Sequence, residues 1–455
     1  MRTQDYIIII FLYTVLAITS IILEIKDIKK NNKLKMINFF KIYYILVYFI
    51  TPICCIIFRD TINTYERYNY VSFDNQYHTK YFYIVLLFSA LGYIFFNIGS
   101  KINILKRKEE KETKEVTQNP NKLLFSTFLI LIIGWMALFL WTYAYGSLTG
   151  IFQYASAIRS GYVKVYNRFT FLKPFCPFVL MSFYLFFVQL LDSKDKKIVY
   201  KMVLLVGLIL SLIGSYIYII ANDGRMLMLI FFLVIIMYYI DYKKIKINSY
   251  TISILLLISI CTIILLGQLD TITAYIRLGN KIETEETSPI ETLANEFKFT
   301  YFNNLNVIYF RDNNIFTGTT ELEDIKSILL AWVPSSMKPS NITNLYDFNT
   351  SFYNGSTGQI PTDLLTAAIY KFDCMGVIIL PLIIGMFVKA LEGVFINKKS
   401  SYSRIIYYLL SIYLGLRFIA YYDLSQILFG SFYIIVTYII IISIHYISKR
   451  TKGNA

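Results

Sequence analysis

The sequence predicts an all-α, polytopic integral membrane protein with about eleven transmembrane helices and one large extracytoplasmic loop. Composition points there first: of 455 residues, 56% are hydrophobic and 16% charged, with a mean hydropathy of +0.54. The apolar residues also gather in blocks of about twenty, the length of helix that crosses a bilayer. Finally, the blocks lack period-two alternation, so they satisfy their backbones as helices and not as barrel strands.

The expected spans lie at about 6–24, 37–57, 80–98, 123–142, 174–191, 202–221, 226–241, 250–267, 374–393, 405–421 and 426–447. They divide the chain into an N-terminal membrane block (1–266), a large loop (267–362) and a C-terminal membrane block (363–455). The first span has no small-residue cleavage pattern after it and reads as retained. Lys and Arg sort by side. The short loops 25–36, 99–122, 192–201, 242–249 and 394–404, with the tail after Ile447, hold 25 of the 44. By the positive-inside rule that side is cytoplasmic. The N-terminus and the large loop are then expected outside and the C-terminus inside. Asn222-Asp223-Gly224-Arg225 reads as a tight outer turn between the sixth and seventh spans.

The net charge of +15 resides in these loops and is no nucleic-acid footprint. The mixed Lys and Glu run at Lys106–Lys114 reads as a solvated loop. Five cysteines, Cys54, Cys55, Cys176, Cys261 and Cys374, show neither metal spacing nor a disulfide framework and read as small core residues. With His78 and His445 alone, a His-rich metal site is excluded. Most of the Tyr and Phe excess reads as aromatic belts.

Candidate functional residues are those whose charge or position has a physical cost. The outer loop 143–173 carries Arg159, Lys164, Arg168 and Lys173 and no Asp or Glu. Uncompensated cations there fit a phosphate or pyrophosphate, whose oxygens match the guanidinium fork; simple solubility, or contact with anionic lipid heads, is the alternative. Arg225 follows Asp223 at the start of the seventh span, and Arg417 lies inside the tenth, with Asp423 beyond it. A cation inside a span costs several kcal/mol unless paired or wet, and marks a functional candidate; snorkelling to the interface is the alternative. For Arg417 the sequence favours a position facing a cavity. Lys371 and Asp373 read as interfacial.

The large loop carries structure of its own. Ser288-Pro289-Ile290-Glu291 is a capping box with Pro at the first helical position, and it predicts an amphipathic helix lying over the membrane surface. Thr320-Glu321-Leu322-Glu323 opens a second helix that stops before Pro334. Thr362-Asp363 caps a short helix leading into the ninth span.

A basic outer loop, then Asp223-Gly224-Arg225 opening a span, then one large outer loop, resembles the oligosaccharide repeat-unit polymerases (the O-antigen or Wzy-type family). Three stretches carry the likeness. Trp332-Val333-Pro334-Ser335-Ser336-Met337-Lys338-Pro339 is similar to the family's Pro-then-Lys-Pro stretch. Gly355-Ser356-Thr357-Gly358-Gln359-Ile360-Pro361-Thr362 resembles the loop before its penultimate block. Ile369-Tyr370-Lys371-Phe372-Asp373-Cys374-Met375-Gly376-Val377 resembles its entry to the next span, with Asp373 where a Gly is usual. The family's Arg-x10-Gly pattern is absent after every outer Arg.

The resemblance implies a metal-independent, GT-C-like membrane glycosyltransferase of the bacterial plasma membrane, without cofactor. It would extend O-antigen or capsular polysaccharide from undecaprenyl-pyrophosphate-linked oligosaccharide units on the outer face. The partners implied are that lipid-linked substrate, membrane lipids and a chain-length regulator protein, and no nucleic acid. Arg225 and Arg417 are then the candidates for steadying the leaving pyrophosphate. Asp223 and His78 are candidates for the base, and nothing in the sequence separates them. Arg159, Lys164, Arg168, Arg311, Lys338 and Trp332 are candidates for contact with pyrophosphate or sugar. A flippase or transporter is the rival from another class, disfavoured by the lack of an internal repeat. An O-antigen ligase-like transferase is the rival within the class.

Overall fold

In the computed structural model the described residues are all except 1–2, 32–33, 60–69, 104–118, 149, 153–166, 223–224, 246–288, 317–325, 327, 331–343, 354–358, 396–399 and 454–455. Among them the regular structure is entirely helical. The principal helices are α1 (Thr3–Asn31), α2 (Met36–Ile57), α3 (Thr79–Gly99), α4 (Pro120–Tyr143), α5 (Phe178–Leu191), α6 (Ile198–Ala221) and α7 (Arg225–Tyr242). After them come α8 (Pro289–Asp312), α9 (Leu345–Ser351), α10 (Leu364–Phe372), α11 (Gly376–Phe395), α12 (Ser401–Ala420) and α13 (Leu424–Gly453). Nine helical segments among the described residues are long and apolar enough to cross a membrane, which makes the chain a multi-pass membrane protein; Met226–Tyr242 is a shorter apolar helix. Ten of the eleven expected spans coincide with helices, and the eighth (250–267) lies outside the described residues.

Helix α12 is the axis of the bundle. From Ser403 to Ala420 every residue is buried except Arg404 and Arg417, which are half-buried. It lies against α2: the Tyr407 hydroxyl accepts from the Met36 N–H (2.7 Å), and Gly415 packs on Tyr43 and Phe40. Helix α3 crosses α11 where Gly99 meets the Leu382 backbone and Gly385 meets the Phe96 carbonyl. A Cβ at either glycine would occupy the partner's main chain, so this close crossing requires glycine on both helices.

The large loop does not sit on the bundle as a separate layer. Helix α8 begins at Pro289, as its capping pattern predicts, but it is not a surface helix with one apolar face. Between Thr300 and Phe310 every residue except Tyr309 is buried, including Thr300, Asn303, Asn304 and Asn306. Its neighbours come from several directions: Tyr301 meets Tyr13 of α1 and Phe82 of α3, and Phe299 meets Tyr421. The expectation of a helix lying over the surface is corrected accordingly. Amphipathic periodicity reports that one face is apolar; it is silent on whether buried partners exist for the polar face, and here they do.

Asp363 caps α10 by accepting from the Leu365 and Thr366 N–H groups, as the sequence expects. The helix is not the upper turn of a straight span, however. It starts halfway down the bundle, where Leu365 touches Gly92 of α3, and rises to the Asp373 turn. There the chain reverses, and α11 runs back against α10, with Gly376 on the Ala368 carbonyl. Asp373 makes the reversal at φ +55°, ψ −157°. Two ion pairs hold this end of the bundle together: Arg311 with Asp373, and Lys80 with Asp312 (2.5 Å).

Candidate functional site

Irregular chain at membrane depth is tolerated only when its polar backbone groups find partners inside the protein. Residues 360–363 meet that demand through side chains sent from several helices. Thr350 Oγ1 accepts from the Ile360 N–H (2.8 Å), and Asn349 donates to the Ile360 carbonyl (3.1 Å). Asn303 donates to the Pro361 carbonyl (2.7 Å) and the Tyr422 N–H to that of Thr362 (2.8 Å). Proline at 361 removes a donor that would otherwise need a partner. Tyr353 donates to Asn303 (3.0 Å) and Tyr370 to Asn349 (2.9 Å), which fixes both amides.

The same segment terminates α12. A helix end inside a bundle leaves its last carbonyls without intrahelical partners. Tyr48, in a π-helical turn of α2 at Leu46–Ile50, approaches the Ile419 carbonyl at 3.1 Å. Tyr346 of α9 donates to the Tyr421 carbonyl (2.9 Å), and Thr362 donates to that of Tyr422 (2.6 Å). Three side chains from distant parts of the sequence thus form a socket around the end of α12.

That helix end carries Arg417. Its guanidinium carbon lies 5.5 Å from the Tyr413 ring centroid and 5.6 Å from that of Tyr421. Tyr218, Tyr346 and Tyr433 complete its electrostatic surroundings. Among the described residues no carboxylate pairs with it. The nearby Asp423 is occupied otherwise: it accepts from Leu345 N–H (3.1 Å), Ser425 Oγ (2.5 Å) and Gln426 N–H (3.0 Å), capping α13 and anchoring α9. The other arginine of α12, Arg404, is neutralised by Asp241 of α7 at 3.2 Å. Cation–π contact and the carbonyl end of α12 offset part of the cost of holding Arg417 there, each by about 1 kcal/mol.

A second cation also rests on an aromatic face. Lys173, in a 3-10 turn before α5, lies half-buried with its ammonium 5.6 Å from the ring of the buried Trp141. Phe175 in the same turn packs on Phe432 of α13 at 5.1 Å. Tyr218 of α6 is an electrostatic neighbour of both Cys176 and Arg417, and Cys176 is one of Lys173. Each of the two cations rests on aromatic faces, and among the described residues no carboxylate pairs with either.

No family model, no curated protein and no solved structure matches this chain. The site has to be read from its own chemistry.

The remaining candidates fall as follows. Arg168 is exposed in the turn that precedes Lys173. Arg311 is held by Asp373 and lies over the Phe316 ring at 5.1 Å, so its charge is already matched. His78 sits half-buried at the start of α3, its Nδ1 accepting from the Ser72 N–H (2.9 Å) and its ring edge-on to Tyr309 at 5.6 Å. That bond secures the loop leading into α3. Arg225 opens α7, but its side chain lies outside the described residues. Arg159, Lys164, Asp223, Trp332 and Lys338 also lie outside them.

Residue-by-residue reading of the sequence passed over Tyr48, Tyr346, Tyr413 and Tyr421, and named Asp363 only as a helix cap. With 40 tyrosines in the chain, no single one stands out. The signal that could have found two of them is spacing: Tyr413, Arg417 and Tyr421 are four apart, which stacks them on one helical face.

Proposed function

We propose that the protein polymerises lipid-linked oligosaccharide, transferring a growing glycan from its undecaprenyl pyrophosphate to a new lipid-linked unit. The observation that carries this reading is Arg417: the one arginine of the central helix without a carboxylate among the described residues, held between two tyrosine rings. A pyrophosphate gains charge as its bond to the sugar breaks, and a preorganised guanidinium in a water-poor site stabilises that charge at little reorganisation cost. The Lys and Arg distribution supports an extracytoplasmic site, since it places the start of α3 and the end of α12 outside. The Asp373 turn supports the family resemblance as well. Its φ of +55° is a conformation glycine adopts freely, and it falls where the family's entry stretch has glycine.

Deletion of the gene in a bacterium making a long surface polysaccharide is expected to leave glycan of single-unit length. Long chains persisting in the deletion strain refute the reading.

A second reading has an observation of its own. Helix α10 starts in mid-bundle after irregular chain, and broken helices near the midplane are a feature of transporters. If the protein moves lipid-linked units across the membrane, deletion leaves those units on the cytoplasmic leaflet and no single-unit glycan reaches the surface.

A further inference from the structure

Asp363 is wholly buried and its carboxylate receives five hydrogen bonds. Four converge on Oδ1: from the Tyr48 hydroxyl (2.7 Å), the Asn304 amide (3.0 Å), the Leu365 N–H (3.0 Å) and the Thr366 N–H (3.2 Å). Only Oδ2 differs, meeting the Thr366 hydroxyl at 2.6 Å. Every donor comes from within the protein and the carboxylate is wholly buried, which keeps it out of the reach of a sugar hydroxyl that a general base requires. The carboxylate is nevertheless tied to the end of α12 by two routes. Tyr48, which donates to it, also lies 3.1 Å from the Ile419 carbonyl, and the preceding Thr362 exchanges two hydrogen bonds with the Tyr422 backbone. Arg417 lies in the turn that these contacts terminate.

We propose that Asp363 is a positioning residue for Arg417, acting through Tyr48 and Thr362, and that it acts as a hydrogen-bond acceptor and not as a charge. Asparagine meets the same geometry. Its Oδ1 takes the four donors, and its amide nitrogen donates to Thr366 Oγ1, because a hydroxyl accepts as readily as it donates. Alanine removes the acceptor that Asn304 and Thr366 share, which costs about 1–3 kcal/mol for each donor left unmatched, and releases the Tyr48 hydroxyl and the Leu365 N–H to their other partners, which shifts the end of α12.

The test places a thiol at the position in question. Arg417→Cys is made in a chain whose Cys54, Cys55, Cys176, Cys261 and Cys374 are alanine, and its rate of reaction with a charged, water-soluble methanethiosulfonate reagent is measured. Asp363→Asn in this chain is expected to leave the rate within about twofold, and Asp363→Ala to change it about tenfold or more. Equal rates in all three overturn the proposal. So does Asp363→Asn behaving as Asp363→Ala, which would show that the charge is needed. If Asp363→Ala fails to fold, Tyr48→Phe and Thr362→Val take its place, with the same shift expected and an unchanged rate again overturning the proposal.

An activity arm, which rests on the polymerase reading, uses the otherwise native chain: Asp363→Asn is expected to keep long glycans where Asp363→Ala shortens them. If Arg417→Ala itself leaves long glycans, the polymerase reading fails, while the thiol rates still decide the positioning role.

Discussion

A guanidinium inside a helix bundle is costly unless something matches it, and the two arginines of α12 are matched differently. Arg404 has Asp241, whereas Arg417 has two ring faces and a helix end. Ring faces weaken little when an anion arrives, so Arg417 stays available to one in a way that Arg404 does not. Arg417→Ala is expected to lower chain extension about a hundredfold or more with protein level unchanged, read as glycan length on gels. Arg417→Lys should fall well below wild type too, because an ammonium lacks the planar fork. Arg404→Met is the control, with stability reduced and glycan length kept in whatever protein folds. From the sequence alone, Arg417 is recognisable as a cation in a span, but not as one without a carboxylate partner among the described residues. Asp423 is six residues away in the chain and invites a pairing that three hydrogen-bond donors already pre-empt.

Among the elements, the α10–α11 hairpin is set by one residue in an unusual conformation. Asp373 at φ +55° costs about 1–3 kcal/mol relative to glycine, and its pair with Arg311 offsets some of this, discounted because Asp373 is half exposed to solvent. Asp373→Ala loses the pair and keeps the strain, so its melting temperature is expected to fall. Asp373→Gly loses both and should melt above Asp373→Ala. The reverse order would show that the turn stores no strain for glycine to relieve.

The far end of α8 has a pH-dependent latch. The hydrogen bond from Lys80, then that from Tyr81, holds the Asp312 carboxyl below the ordinary carboxylate range. A depressed carboxylate contributes fully above its unfolded value of about 3.9 and is lost as pH falls through the lower, folded value. Amide exchange at the end of α8, taken relative to an unstructured peptide at the same pH, is therefore expected to stay flat from neutral pH to about 5 and to rise only below about 4. Asp312→Asn should raise it at neutral pH as well; no rise in that variant would remove the latch.

Seen as a whole, the molecule folds α8, the first described helix of its large loop, into the bundle. A cysteine at Leu305 or Val307 of α8 is expected to resist a water-soluble thiol reagent added outside intact cells, and one at the exposed Asn314 to react. Equal labelling would return α8 to the surface. The start of α8 and the cap of α10 were both legible, since each is written in four consecutive residues. The dip of 359–372 into the bundle was not. It depends on Asn303 of α8, Asn349 and Thr350 of α9 and Tyr422 beyond α12 to satisfy the backbone of 360–363.

Hydropathy and charge are summed along the chain, so the sequence by itself determined the membrane class, the segments that cross and the sorting of Lys and Arg between them. Which arginine of α12 rests on aromatic rings in place of a carboxylate among the described residues, and what steadies it, was decided by the tertiary structure alone. The contacts that answer this join residues as far apart as Tyr48 and Asp363, 315 positions distant. Nothing local in either stretch records that the other will be there.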